Sequence, residues 1–148
     1  MRIGLFVGSF DPFTIGHEAI VRRALPLFDK LIIGLGINTN KHYSQSCEER
    51  LQRIKKLYAE EANIEVKSYN GLTTDFAESQ GANYLVKGVR SLKDFEYERE
   101  QAAINRKLSG IETILLFAEP ELESVSSSVV RELERFGKDV HAFLPKGY

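Results

Sequence analysis

Gly8-Ser9-Phe10-Asp11-Pro12-Phe13-Thr14-Ile15-Gly16-His17 follows an apolar run, Ile3 to Val7, and precedes a helical pattern that starts near Glu18. A strand that feeds a helix through a glycine-containing turn is a common phosphate holder. The turn exposes backbone N–H groups, and the helix N-terminus carries partial positive charge. Gly8 and Gly16 let the backbone turn sharply or approach a ligand closely. His17 falls in the first helical turn, facing whatever the turn holds, and the helix dipole biases its imidazole toward the neutral form unless an anion is bound nearby. Taken alone, the ten residues also read as an Asp-Pro turn with a surface histidine. Their placement between a strand and a helix favours the binding reading.

Outward from this stretch, the chain alternates. Residues 2–8 read as a buried strand and residues 17–29 as a helix with Ile20, Val21, Ala24, Leu25 and Phe28 on one face, weakened at its end by Pro26. The near-continuous apolar run from Lys30 to Ile37 has the pattern of a central parallel strand. Gly34 and Gly36 share one of its faces, so something packs or binds close to that backbone. Ser46 and Glu49 form a capping-box pattern ahead of a helix striped by Leu51, Ile54, Leu57 and Tyr58. Ile64 to Lys67 is a short strand, and Leu72 to Gln80 a short helix with Phe76 and Ala77 inward. Tyr84 to Val86 is a strand ending in Lys87-Gly88-Val89-Arg90, and Ser91 to Leu108 a long charged helix. Thr113 to Phe117 is a fifth strand, and Glu123 to Ser128 leads into a helix through Phe136. Alternation of this kind predicts an α/β fold: one domain, residues 1–148, with a five-stranded parallel Rossmann-like sheet and helices on both faces. Ligands in such sheets bind at the carboxyl ends of the strands. The segments Gly8–His17, Asn38–Lys41, Lys87–Arg90 and Glu119–Ser128 should therefore converge on one cleft.

Bulk properties narrow the function. The 148 residues are 43% hydrophobic and 28% charged, ordinary for a soluble globular protein. With 20 basic and 21 acidic residues the net charge is −1, which argues against a protein living on the backbone of nucleic acid. A small anionic substrate needs only local cations. The single cysteine, Cys47, excludes an internal disulfide framework and a cysteine-based zinc site. No stretch approaches a signal or membrane-spanning segment, so the expected location is cytoplasmic.

His17, Lys41, Lys87 and Arg90 are four potential cations just past strand ends. Lysines in loops are usually solvated, and Arg90 could pair with Glu96 or Asp94. Four on one predicted edge of a nearly neutral chain instead suggest a polyphosphate or two phosphorylated ligands. Ser126-Ser127-Ser128 opens a helix; one serine suffices to cap it, and three hydroxyls with free N–H groups would cradle a β/γ-phosphate. Glu98 shares a helix face with Phe95 and Ala102, so its carboxylate needs either a structural cation or a ligand. No acidic pair has metal-cage spacing. The chemistry reads as positioning plus charge stabilisation, which transfer at phosphorus requires, with Mg²⁺ carried by phosphates and water.

The stretch ending Thr14-Ile15-Gly16-His17, together with Lys41, Gly88-Val89-Arg90, Asp94-Phe95-Glu96-Tyr97-Glu98 and Val125-Ser126-Ser127-Ser128-Val129-Val130-Arg131, resembles the phosphopantetheine adenylyltransferases over almost the whole chain. That resemblance implies adenylyl transfer from MgATP to 4′-phosphopantetheine, giving dephospho-coenzyme A and pyrophosphate, in a cytoplasmic homohexamer. It implies His17, Lys41, Arg90 and Ser9 as catalytic residues. It also implies ATP contacts from Ser9, Phe10, His17, Gly88, Val89, Arg90, Glu98, Glu123, Ser124, Val125, Ser126, Ser127, Ser128 and Val129. Ser9, Lys41, Thr73 and Lys87 would meet the pantetheine substrate. Ser9 stands where threonine is frequent, which keeps the hydroxyl. Lys87 stands where arginine is expected, which keeps the charge and loses the bidentate fork. The alternatives are a nicotinate-mononucleotide adenylyltransferase or cytidylyltransferase, which usually carry His-x-Gly-His, and a non-catalytic nucleotide sensor.

Overall fold

The computed structural model describes residues 1–38, 42–43 and 45–148. The predicted apolar runs form five strands, β1 (Ile3–Gly8), β2 (Lys30–Gly36), β3 (Ile64–Tyr69), β4 (Tyr84–Val89) and β5 (Glu112–Phe117). They pair in parallel in the order β3-β2-β1-β4-β5. Helices α1 (Ile15–Ala24), α2 (Cys47–Leu57), α3 (Thr73–Ser79), α4 (Leu92–Ser109) and α5 (Ser127–Arg135) follow the strands in turn. The expected α/β sheet with helices on both faces is thus what the chain forms.

Register sorts the core into two layers. Phe6 lies beside Ile33 and Val86, and all three face a cluster with Ile20 and Val21 of α1 and Leu51 and Ile54 of α2. Leu5 lies beside Ile32 and Leu85, and these face Ala77 of α3 and Ile111 on the opposite side. Because successive strand residues point to opposite faces, one apolar run supplies both layers. This explains why the sequence of β2 shows no polar alternation.

Two of the boundaries that differ from the sequence reading shape the site. The first helix stops at Ala24 and passes into a 3₁₀ turn over Leu25–Leu27, where Pro26 removes the N–H an α-helix would use. β4 runs on through Val89, so Lys87 and Gly88 belong to the strand. β5 supports this extension as far as the Val89–Phe117 pair, whereas pairing of β1 with β4 ends at Phe6–Val86. Past that point the two central strands part. The crevice opens where the strand order reverses direction, the position at which doubly wound sheets take ligands.

The close approach foreseen at Gly34 and Gly36 is filled by side chains of the fold itself, Val7, Leu5 and Phe76 at Gly34 and Tyr69 at Gly36. Tyr69 and Phe76 stack with ring centroids 4.4 Å apart. A Cβ at Gly34 would lie 3.2 Å from Phe76, and one at Gly36 3.3 Å from the Tyr69 hydroxyl. Helix α4, which packs beside α3, buries none of its residues fully; Leu92, Tyr97, Ile104 and Leu108 are each more than half exposed. Among the described residues no helix is long and apolar enough to cross a membrane.

Candidate active site

A cleft of about 430 Å³ occupies the crevice between β1 and β4. Gly8 to Asp11 with Thr14, Gly16 and His17 form one wall, Lys87 to Arg90 another, and Leu122 with Val125 to Ser128 a third. The segments after strands one, four and five converge as expected. Of the expected segment after β2, residues 38–41, Asn38 stays outside the lining and residues 39–41, Lys41 among them, lie outside the described residues, while His42 and Tyr43 next along the chain reach the cleft.

The Thr14-x-Gly-His17 spacing has a local cause. Thr14 is the N-cap of α1, and its hydroxyl accepts the His17 N–H at 3.4 Å. His17 Nδ1 in return accepts the Thr14 N–H at 2.9 Å. This is a capping box in which histidine takes the place usually held by glutamate or glutamine. With Nδ1 committed as acceptor, the neutral ring carries its proton on Nε2, a donor for the cleft. Phe10 and Phe13 hold the ring at centroid distances of 5.0 and 5.3 Å. Phe10 itself adopts φ of 47°, a left-handed conformation rare for a bulky residue, in a turn that continues through a cis Asp11–Pro12 bond. The sharp turn therefore falls at Phe10, although glycine was expected to carry it. A Cβ at Gly8 would lie 2.8 Å from the Phe10 ring, which accounts for glycine there.

Burial first, and the nearby Arg90 charge second, lower the His17 pKa from 6.5 to about 4. The ring is neutral at physiological pH, as the helix-dipole reasoning expected, but desolvation is the larger cause. Between pH 6.5 and 4 the unfolded chain binds a proton that the folded chain refuses. Folding stability is therefore complete above that window and declines as the pH falls through it. We predict that the Tm of the wild-type chain drops more between pH 7 and 4.5 than that of His17→Gln, by thermal unfolding followed by circular dichroism. Equal drops would contradict it.

The cations of the cleft come with carboxylates. Lys87 Nζ lies 3.5 Å from Glu98 Oε1, joining β4 to α4, with both side chains mostly buried. Glu98 thus has an internal cation, and the pair lines the cleft. Arg90 Nε lies 3.6 Å from Asp94 Oδ2, and the Arg90 backbone N–H donates to the same oxygen at 3.2 Å. Asp94 rather than Glu96 is the partner, and it holds Arg90 at the rim.

The three serines are not three unattached hydroxyls. Ser126 caps α5 by accepting the Val129 N–H at 3.2 Å. Ser127 donates its proton to the Pro12 carbonyl at 2.7 Å, tying α5 to the first turn. Ser128 accepts from Arg131 at 3.2 Å, and Arg131 also donates to the Asp11 carbonyl at 2.6 Å. Ser126 and Ser128 keep their O–H protons to donate; Ser127 does not.

Residues 5–133 match the cytidylyltransferase-like family. The chain is 54% identical over 147 residues to the phosphopantetheine adenylyltransferase of Phocaeicola vulgatus, covering 99% of this chain and 97% of that protein. It is 46% identical to that of Leuconostoc citreum, covering 99% and 93%. The chain belongs to the phosphopantetheine adenylyltransferase family. Among solved structures, the fold is shared with a bifunctional NMN adenylyltransferase/ADP ribose pyrophosphatase from Francisella tularensis at TM-score 0.75 and 16% identity, over 97% of this chain and 44% of that one. A lipopolysaccharide core biosynthesis protein from Thermoplasma volcanium aligns at TM-score 0.59 and 19% identity, over 80% of this chain and 97% of that one.

In this member of the phosphopantetheine adenylyltransferase family, the expected site residues divide by position. Ser9, Phe10, His17, Lys87, Gly88, Val89, Arg90, Glu98, Val125, Ser126, Ser127 and Ser128 all line the cleft. Glu123 lines an apolar hollow with Phe95 and Phe117 that adjoins the cleft, sharing Val89, Arg90 and Ala118 with it. Ser124 and Val129 line neither, and the Val129 N–H is the one that Ser126 caps. Thr73 stands at the sheet edge beyond β3, its hydroxyl 2.9 Å from that of Tyr69, outside the cleft lining. Arg131 was quoted only as part of a motif, yet it lines the cleft and braces two of its walls. Its spacing of three from Ser128 and four from Ser127 on one helix was the available signal.

Proposed function

We propose that this chain transfers an adenylyl group from ATP to 4′-phosphopantetheine, releasing pyrophosphate and dephospho-coenzyme A. The observation that carries this reading is the meeting of His17, Arg90 and the Lys87–Glu98 pair at the mouth opened between β1 and β4. The near-full-length identity to phosphopantetheine adenylyltransferases supports it independently.

In this reading a phosphate oxygen of the pantetheine substrate attacks the α-phosphorus in line. The new O–P bond forms as the bond to the bridging oxygen breaks, and pyrophosphate leaves with the electron pair. The attacking phosphate is already ionised, so no general base is required. Negative charge spreads over the equatorial oxygens, where the His17 Nε2–H and the Arg90 guanidinium donate. Lys41 and Ser9 complete the catalytic set. Phe10, Gly88, Val89, Glu98, Glu123, Ser124 and Val125 to Val129 serve ATP, the first turn of α5 holding the outer phosphates. Ser9, Lys41, Thr73 and Lys87 serve the second substrate. When bound, Mg²⁺ would be carried on the ATP phosphates and would neutralise charge on the leaving pyrophosphate. Among the described residues no group of three His, Cys, Asp or Glu side chains could hold a metal, and Asp94 and Glu98 are engaged by cations. The working form is a cytoplasmic homohexamer, a reading supported by the exposed apolar face of α4.

Pyrophosphate release from MgATP, compared across phosphopantetheine, nicotinate mononucleotide and glycerol phosphate, tests the reading. Phosphopantetheine should be strongly preferred; no release with it would refute the assignment. Lys87→Arg should keep kcat and hold or lower the KM for phosphopantetheine, because a guanidinium can grip Glu98 and a phosphate together. A severe loss would mean that the pocket is fitted to lysine.

A further inference from the structure

Arg50 takes no part in the chemistry above and does not line the cleft, yet it is 0% exposed. Its guanidinium makes three attachments. Nη1 donates a short hydrogen bond to the Ser9 carbonyl. Nε donates to the Gln45 carbonyl at 3.2 Å. The guanidinium plane lies over the Tyr43 ring, 4.0 Å from its centroid. Tyr43 in turn accepts the Asn38 N–H through its hydroxyl at 3.0 Å. Nη2 is buried with no hydrogen-bond partner, and Arg50 has no carboxylate partner among the described residues.

A buried cation with no ion pair among the described residues is a poor device for stability, since an apolar side chain of similar volume usually serves as well or better. A planar fork with fixed donor directions is, however, a good device for holding two segments in one arrangement. We propose that Arg50 is a positioning residue that clamps the β2–α2 connection onto the β1–α1 turn, so that Tyr43 and Ser9, on two walls of the cleft, keep a fixed separation. The proposal rests on the adenylyl-transfer reading for its kinetic consequence, since those walls would receive the two substrates. Lysine at this position could reach one carbonyl but could neither bridge both nor cover Tyr43.

The test compares the full-length wild type with Arg50→Lys and Tyr43→Leu. The second variant removes the stacking and leaves both carbonyl bonds, so it serves even where the first folds poorly. Hydrogen exchange read by mass spectrometry should quicken together in peptides spanning 8–14 and 36–46, with the sheet unchanged. In the same samples kcat/KM for phosphopantetheine should fall by about 10²-fold in Arg50→Lys and less in Tyr43→Leu, a displacement effect. Faster exchange in only one of the two segments overturns the clamp. So does activity lost only in proportion to the unfolded fraction, with KM unmoved. If the wild type itself fails to use phosphopantetheine, the function is refuted, and the exchange data alone still decide the clamp.

Discussion

Replacing His17 with alanine is expected to lower kcat by about 10²–10³-fold, the usual loss for a preorganised donor to a developing negative charge. ATP affinity should change far less, because the Nε2–H is aimed at charge that grows in the transition state. The substitution also removes half of the capping box, as Nδ1 no longer accepts the Thr14 N–H. Loss of such a cap costs about 1 kcal/mol of stability, too little to explain the kinetic effect in a folded sample. Single-turnover rates and ATP binding by calorimetry separate the two. A variant that binds ATP much more weakly but turns over normally at saturation would make His17 a binding group only.

Arg90→Ala should be comparably damaging, by about 10²-fold or more in kcat, since the guanidinium is the cation that Asp94 holds at the cleft rim. It carries a second signature. The Arg90 charge is one of the two causes that lower the His17 pKa, so its removal should raise that pKa from about 4. Imidazole proton resonances followed against pH read this directly. A large loss of kcat with an unmoved His17 titration would show that the two groups do not share one electrostatic environment.

Much of this arrangement is legible in the chain because its signals are local. The strand runs, the Ser46 and Ser126 caps and the placement of His17 in a first helical turn follow from periodicity and capping chemistry. The cleft followed from topology, since parallel strands bring their carboxyl-end loops together. What escaped depends on contacts distant in sequence. Arg50 went unnoticed beside the stripe of Leu51, Ile54, Leu57 and Tyr58, although its spacing of four from buried Ile54 puts it on the same face. Its partner is the Ser9 carbonyl, on another element. That Ser127 donates to the Pro12 carbonyl was hidden because that carbonyl belongs to the distant first turn, whereas Arg131, three residues from Ser128 on α5, was within reach of the sequence. The left-handed Phe10 was invisible because its cause is tertiary. Its ring is held among Phe6, Phe13 and His17, so the backbone follows the side chain.

The central claim is attack at the α-phosphorus of ATP by the phosphate of phosphopantetheine. Supplying MgATP labelled only at the α-phosphate, and separating the products, tests it most directly. The label should appear in dephospho-coenzyme A, with the released pyrophosphate unlabelled and formed in equal amount. Label remaining in AMP or ADP, with phosphopantetheine recovered unchanged, would contradict the account.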